Sequence, residues 1–222
     1  GSPGGKTGSP TDGASCTGCH SGGGDTAATI TTNIPVSGYI PNQVYTITAE
    51  IDQIGINKFG FEITSEADNL GSAKTGSFLV TNSAETQFAN NNTAITHKAG
   101  GTSGSNSKSW SMDWEAPNTG TGAITFYGSF IGANGNNQNS GDTYHPATYT
   151  INEGILPLSS WDCDGLGNCT DPGSGNGQYT TIADCNIACA ITTINNISSK
   201  NQMIFNSITK TIEILDKEEI FV

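Results

Sequence analysis

Five consecutive residues near the start of the chain, Cys16-Thr17-Gly18-Cys19-His20, have the types and spacing of a cofactor attachment site. Two thiols separated by two residues reach the two vinyl groups of one porphyrin. The adjacent imidazole then lies under the ring as an axial ligand to iron, so Cys-x-x-Cys-His is the attachment sequence of c-type haem. Thr17 and Gly18 are small enough to leave room for the ring. Other uses of the pair fit less well. Zinc needs two further ligands at close spacing, and no such pair follows. A thioredoxin-like redox pair precedes a helix in a βαβ unit, and the sequence holds no such unit. A plain disulfide in a floppy arm is the bland alternative.

An electron carrier usually supplies haem iron with a second axial ligand, Met or His. The candidates are His97, His145, Met112 and Met203. Met112 falls between two Trp residues on an inward face and reads as core; Met203 lies in the tail without supporting context. His97 closes a short strand, Ile95-Thr96-His97, before the Gly/Ser loop 99–109, at a sandwich end where an arm can fold back. It is the favoured second ligand. His145, before Pro146 at an expected strand start, is the fallback, and an open five-coordinate site is the third possibility.

The other four cysteines, Cys163, Cys169, Cys185 and Cys189, are packed into a loop-rich stretch far from the first two. They read as two disulfides and hence as an oxidising, extracytoplasmic location. Cys185 and Cys189 are four apart on an expected helix, Thr181–Cys189, so they share a face. Bonds to Cys163 and Cys169 are favoured over a bond to each other, and which goes to which stays open. The six cysteines thus read as four plus two. A calcium site at Asp162 and Asp164 lacks the further carboxylates that a calcium loop needs, so both read as solvated.

The composition constrains what can position these groups. The chain has 222 residues, a formal net charge of -12 and 13% charged residues, against about a quarter in ordinary globular domains. Its eight basic residues are all Lys, so the basic face of a nucleic-acid binder is missing. No apolar run approaches the ~18 residues of a membrane span. The chain opens Gly1-Ser2-Pro3-Gly4-Gly5 with no basic, apolar leader and reads as the mature form after signal removal.

Four segments follow. Residues 1–24 form an arm of Gly, Ser, Thr, Pro and Asp that cannot bury a core of its own. A covalent cofactor, the domain behind it or a neighbouring subunit must hold it. Residues 25–153 have period two: Tyr45, Ile47, Ala49 and Ile51 alternate with polar residues, as do Phe59, Phe61 and Ile63, then Trp110, Met112 and Trp114, then Ile124, Phe126 and Gly128. With turn residues between them, seven to nine short strands predict an all-β, immunoglobulin-like antiparallel sandwich ending near Asn152. Residues 154–190 form the small disulfide-rich module headed by Trp161. Residues 191–222 hold short β-branched runs, Thr211–Leu215 and Ile220–Val222, too few strands to fold alone. They are expected to add to the sandwich or to another copy, or to begin a sorting or assembly domain.

Several stretches of the chain resemble a family of secreted Bacteroidetes proteins with a Reeler-like, choice-of-anchor sandwich. They are Pro3–Pro10 before the Cys-His motif, Tyr39-Ile40-Pro41-Asn42-Gln43-Val44-Tyr45-Thr46-Ile47-Thr48 and Phe59-Gly60-Phe61-Glu62-Ile63-Thr64. Thr96-His97, Trp114-Glu115-Ala116-Pro117, Ala123-Ile124-Thr125-Phe126-Tyr127-Gly128, Asn134-Gly135-Asn136 and Ser140-Gly141-Asp142 complete the set. The resemblance covers roughly residues 1–153. The stretch from Trp161-Asp162-Cys163-Asp164-Gly165 to Ala183-Asp184-Cys185 is similar to a small repeat near the C-terminus of such proteins. These commonly end in a sorting domain for type IX secretion to the outer cell surface, whose start residues 200–222 resemble. The resemblance implies fold and address more than mechanism.

Two functions are expected from these residues. One is an extracellular bacterial cytochrome carrying a single covalent haem c, an electron carrier rather than an enzyme, steered by its negative charge toward cationic partners. One haem carries electrons only a short way, so copies joined by strand addition into a homo-oligomer or haem-bearing filament are its specific form. The other is a structural or adhesive surface module in which haem is absent or a mere staple.

Overall fold

The structure is a computed structural model and describes residues 1–23, 27–155, 158–195, 201–206 and 211–216. In chain order, a single 3₁₀ turn, Cys16–Gly18, precedes β1 (Ser21–Gly23), β2 (Ala28–Thr32), β3 (Val44–Asp52), β4 (Lys58–Ala67) and β5 (Ala73–Lys74). Next come β6 (Ser77–Leu79), β7 (Thr86–Ala89), β8 (Ala94–His97), a second 3₁₀ turn at Ala99–Gly101, β9 (Ser107–Glu115), β10 (Ile124–Ala133) and β11 (Ser140–Ile151). β12 (Asp162–Cys163), β13 (Cys169–Thr170), α1 (Ile182–Asn195), β14 (Asn201–Asn206) and β15 (Thr211–Asp216) follow. The chain divides into two compact units, Gly1–Ile155 and Leu156–Val222. The arm expected at 1–24 therefore belongs to the same unit as the sandwich.

The first unit is a β-sandwich. One sheet runs β1-β11-β10-β4-β8-β7 with β5 beside β4; the other runs β2-β3-β9-β6. Neighbours are antiparallel except β1, which lies parallel to β11. β3 and β9 keep the expected alternation. Tyr45, Ile47, Ala49 and Ile51 face Trp110, Met112 and Trp114 into a core shared with Phe59, Phe61, Ile63, Phe126 and Phe130. Phe61 stacks on Trp110 at 4.4 Å, and Trp114 meets Phe126 edge-on at 4.9 Å; each such pair contributes about 0.5–1.5 kcal/mol beyond area burial. Met112 is fully buried, as its place between two Trp residues implies.

β4 and β10 depart from the alternation because both of their faces are covered. Glu62, Thr64 and Glu66 of β4 and Ser129 of β10, on the face away from the aromatic core, are buried too. What covers them is the N-terminal arm. Pro146 sits inside β11 rather than at its start. There it stands opposite Ser129 of β10.

In the second unit β12 and β13 form a short hairpin, and Trp161 and Tyr179 pair by two backbone bonds of 2.8 and 2.9 Å. Thr181 starts α1: its hydroxyl accepts from Asp184 N at 3.1 Å and donates to Asp184 Oδ2 at 2.7 Å. The helix runs on to Asn195, past the expected end at Cys189. The β-branched run Ile191–Ile194 lowers helix propensity by only a few tenths of a kcal/mol per residue, too little to stop a helix already nucleated. β14 and β15 pair with each other as a two-stranded sheet. The strand expected at Ile220–Val222 lies outside the described residues. No helix among the described residues is long and apolar enough to cross a membrane.

Candidate functional site

The arm is held by the domain behind it. Buried carboxylates of β4 accept its backbone amides: Glu62 Oε1 takes Gly5 N at 2.8 Å and Lys6 N at 3.4 Å, and Glu66 Oε2 takes Thr11 N at 3.3 Å. Ser2 N donates to Thr96 Oγ1 at 3.1 Å. Asp12 forms an ion pair with Lys74 at 2.8 Å and accepts from Asn90 Nδ2 at 3.1 Å. Burial acts to raise the Asp12 carboxyl, but the bonds from Lys74 and Thr7 outweigh it, and the group sits below 3.8. Thr7 and Ser9 are consequently buried although both are small and polar.

The arm ends in the single 3₁₀ turn. Ser15 caps it, accepting from Thr17 N at 3.3 Å, and Cys19 N and His20 N both donate to Cys16 O, at 3.1 and 2.9 Å. One turn therefore presents both thiols and the imidazole together. Cys16 and Cys19 are not bonded to each other; Cys19 is exposed. Burial, reinforced by the Glu62 charge, pushes the Cys16 thiol up to about 12. A reactive thiolate needs the opposite environment, so Cys16 is a poor nucleophile.

His20 Nδ1 lies 2.7 Å from Asp142 Oδ2, and Asp142 Oδ1 accepts from Asn134 N at 3.0 Å. Only 3% of the Asp142 side chain is exposed. Glycine makes this approach feasible, since a Cβ on Gly22 would overlap the backbone oxygen of Asp142. With Nδ1 committed to the carboxylate, Nε2 of His20 is the ring nitrogen left to bind a ligand.

His97 ends β8 with Nδ1 2.9 Å from Phe61 N and 3.1 Å from Phe61 O. Phe61 N–H donates to Nδ1, which leaves Nε2 as the ring nitrogen not engaged by the Phe61 backbone. Burial pushes His97 below its usual 6.5, opposed in part by the Phe61 backbone bond. Its imidazole rests against Gly60, where a Cβ would stand 2.7 Å from Cε1.

Cys16, Cys19, His20 and His97 line one cavity of about 570 Å³. Pro3, Phe59 and Ile131 supply apolar wall, and Lys6 and Lys58 also line it. The volume falls in the range of about 300–1,000 Å³ typical of small-molecule and cofactor sites. Two unbonded thiols and two imidazoles, each with Nδ1 already engaged, are a donor set that fits a covalently attached haem. His145 is placed elsewhere. It lies inside β11, 2% exposed, with Nε2 3.0 Å from Gln53 Oε1, and is absent from the cavity wall. The fallback ligand thus belongs to the packing of β11 against the 53–55 turn.

The remaining cysteines cross-link the second unit: Cys163 to Cys189 and Cys169 to Cys185. Asp162 and Asp164 cap turns. Asp164 accepts from Leu166 N at 2.7 Å and from Asn168 N at 3.0 Å, and Asp162 from Gln178 N at 2.8 Å.

Three contributors escape a reading by pattern. Glu62, between Phe61 and Ile63, looks solvent-facing; Gly60 looks like filler; Asp142 follows a turn glycine. The only signal in the sequence is an acidic residue in an aromatic strand where a polar arm must dock.

Fold and site together define a class: a β-sandwich module whose N-terminal segment closes a two-thiol, two-imidazole cavity against one sheet. The Reeler domain family model matches residues 17–135, and the chain belongs to that family, an extracellular module type. Among solved structures it is similar to the human F-spondin reeler domain (fragment 1), at 19% identity over 59% of this chain and 91% of that one, TM-score 0.47. The Reelin-N domain of F-spondin is similar at 19% identity over 63% and 96%, TM-score 0.48. No curated protein matches the chain.

Proposed function

We propose that this Reeler module is a secreted, surface-located bacterial electron carrier holding one covalent haem c. The convergence of Cys16, Cys19, His20 and His97 on one cavity supports the reading most strongly. Cys16 and Cys19 would carry the thioether links and His20 and His97 would ligate the iron; the group, when bound, would supply one-electron exchange. The chain's own residues do the rest. Asp142 and the Phe61 backbone orient the two rings. Phe59 and Ile131 keep water from the cavity wall. The latched arm fixes the thiols, and the net charge of -12 steers toward cationic redox partners. Copies joined side by side would extend electron transfer beyond one molecule. Neither this reading nor its rival calls for catalysis.

The rival, a structural or adhesive module in which the arm merely plugs the sheet, is favoured by the family itself. One preparation decides between them. The chain is produced in an oxidising compartment with c-type maturation, denatured, run on a gel and stained for haem peroxidase activity, with a reduced spectrum in parallel. Stain at the mass of the chain and sharp visible bands are expected, and a colourless band rejects the haem reading. His97→Ala is expected to abolish the low-spin spectrum, whereas His145→Ala leaves it intact.

A further inference from the structure

The two imidazoles of the cavity are held by unlike partners. His97 Nδ1 meets only neutral groups, the backbone of Phe61 and, at 3.4 Å, the Thr96 hydroxyl. His20 Nδ1 meets a carboxylate, Asp142 Oδ2, at 2.7 Å, with that side chain 3% exposed. The carboxylate is itself fixed, because its other oxygen accepts Asn134 N at 3.0 Å. The contact also spans 122 residues of sequence. It depends on β1 lying along β11 in parallel, through a glycine at 22 that no other residue replaces without overlap. Had the fold needed only to orient His20, a neutral backbone group would serve, as Phe61 does for His97.

We infer that Asp142 is a positioning residue that makes His20 an electron-rich axial ligand and so holds the haem of the proposed function at a low reduction potential. A buried carboxylate accepting Nδ1–H draws the proton toward itself and gives the imidazole partial imidazolate character, which raises the basicity of Nε2. An axial nitrogen of higher basicity favours the ferric over the ferrous state, as does a negative charge held close to iron in a low-dielectric wall. Both effects have the same sign. The chemistry therefore points to low-potential redox partners, with His20 as the tuned ligand and His97 as the untuned one.

The inference rests on the haem reading, and the experiment separates the two. Full-length chain, matured with covalent haem, is compared as wild type, Asp142→Asn and Asp142→Glu. Haem-stained denaturing gels report attachment, the visible spectrum reports spin state, and spectroelectrochemical titration reports potential. Asp142→Asn is expected to keep attached, low-spin haem and to shift the potential to more positive values. Asp142→Glu, which restores the charge, is expected to return it toward wild type. An attached, low-spin Asp142→Asn protein with the wild-type potential overturns the inference while leaving the haem reading standing. A wild-type chain without covalent haem removes both. Should Asp142→Asn fail to accumulate, the ferric wild-type EPR spectrum carries the test. The compressed g anisotropy of an imidazolate-like ligand supports the role, and the anisotropy of two neutral imidazoles overturns it.

Discussion

Residues 1–23 and residues 161–180 are alike in composition, Gly-rich and nearly without apolar side chains, and opposite in how they are held. The first stretch lies on a finished sheet, and its amides are satisfied by Glu62 and Glu66, buried carboxylates on the outward face of β4. The second is held by Cys163–Cys189 and Cys169–Cys185, and among the described residues of its unit the buried apolar side chains are Cys185 and Cys189. A polar segment backed by a large core can be pinned by hydrogen bonds, which leaves its thiols unbonded. One without such a core needs its thiols as cross-links. The division of six cysteines into two and four follows from that difference.

The comparison breaks most visibly under reduction. Losing a native disulfide from a small domain costs about 2–5 kcal/mol. Under dithiothreitol, limited proteolysis is expected to cut rapidly between residues 161 and 189 while the sandwich and its arm keep their protection and their melting transition. A sandwich transition that moves on reduction would contradict the division.

The arm has the complementary weakness. Glu62→Ala strips the part-buried Gly5 N and Lys6 N of their acceptor, at about 1.5–3 kcal/mol for a hydrogen bond to a charged group. Hydrogen exchange is expected to quicken across residues 2–16, with the disulfide-linked unit unaffected. The Glu62 charge adds to burial in raising the Cys16 thiol to about 12, so its removal lowers the pH at which Cys16 reacts with an alkylating agent. Unchanged exchange in the arm would show that β4 is not the latch.

Gly60→Ala tests the seat of His97 alone. The added Cβ stands 2.7 Å from Cε1 of the imidazole, and such overpacking costs about 1–3 kcal/mol. The arm is expected to stay latched while the haem-loaded protein loses its low-spin spectrum. Retention of that spectrum would mean that His97 is not a ligand or that its ring tolerates displacement.

These variants also mark the limit of what the sequence discloses. β3 and β9 are legible because one of their faces meets a core and the other meets water, which is the condition for alternation. β4 is legible only on its Phe59, Phe61 and Ile63 side, since the outer cover is Gly, Ser and Thr, which carry no apolar signal. Cys16, Cys19 and His20 are legible because their relation is local. Asp142 is not, since its meaning depends on the pairing of β1 with β11, and His145 is misplaced when Pro146 is taken for a strand boundary. The family resemblance supplies the sandwich and says nothing of the carboxylates beneath the arm.

Acid offers the finest contrast, because each region contains an aspartate held below its ordinary value. In the arm, burial raises Asp12, and the opposing bonds from Lys74 and Thr7 bring it below 3.8. In the cross-linked unit, exposed Asp164 is lowered first by the Asn168 side chain and then by the Leu166 and Asn168 amides. A carboxyl depressed in the folded state binds fewer protons than in the unfolded chain. Its contribution is therefore full above 3.8 and is lost as pH falls through the folded value. The sign is the same in both regions, and the consequences differ. Protonating Asp12 releases Lys74 and with it a segment secured only by hydrogen bonds; protonating Asp164 relaxes a turn that two disulfides still enclose. Below pH 3.8, hydrogen exchange is expected to rise at residues 5–15 well before residues 162–189, once intrinsic rates are corrected for pH. Asp12→Asn should bring the arm's loosening to neutral pH and flatten its acid dependence, and Asp164→Asn should leave residues 5–15 as they are. Equal loosening of both regions would mean that the disulfides, and not the buried carboxylates, are incidental to how each stretch is held.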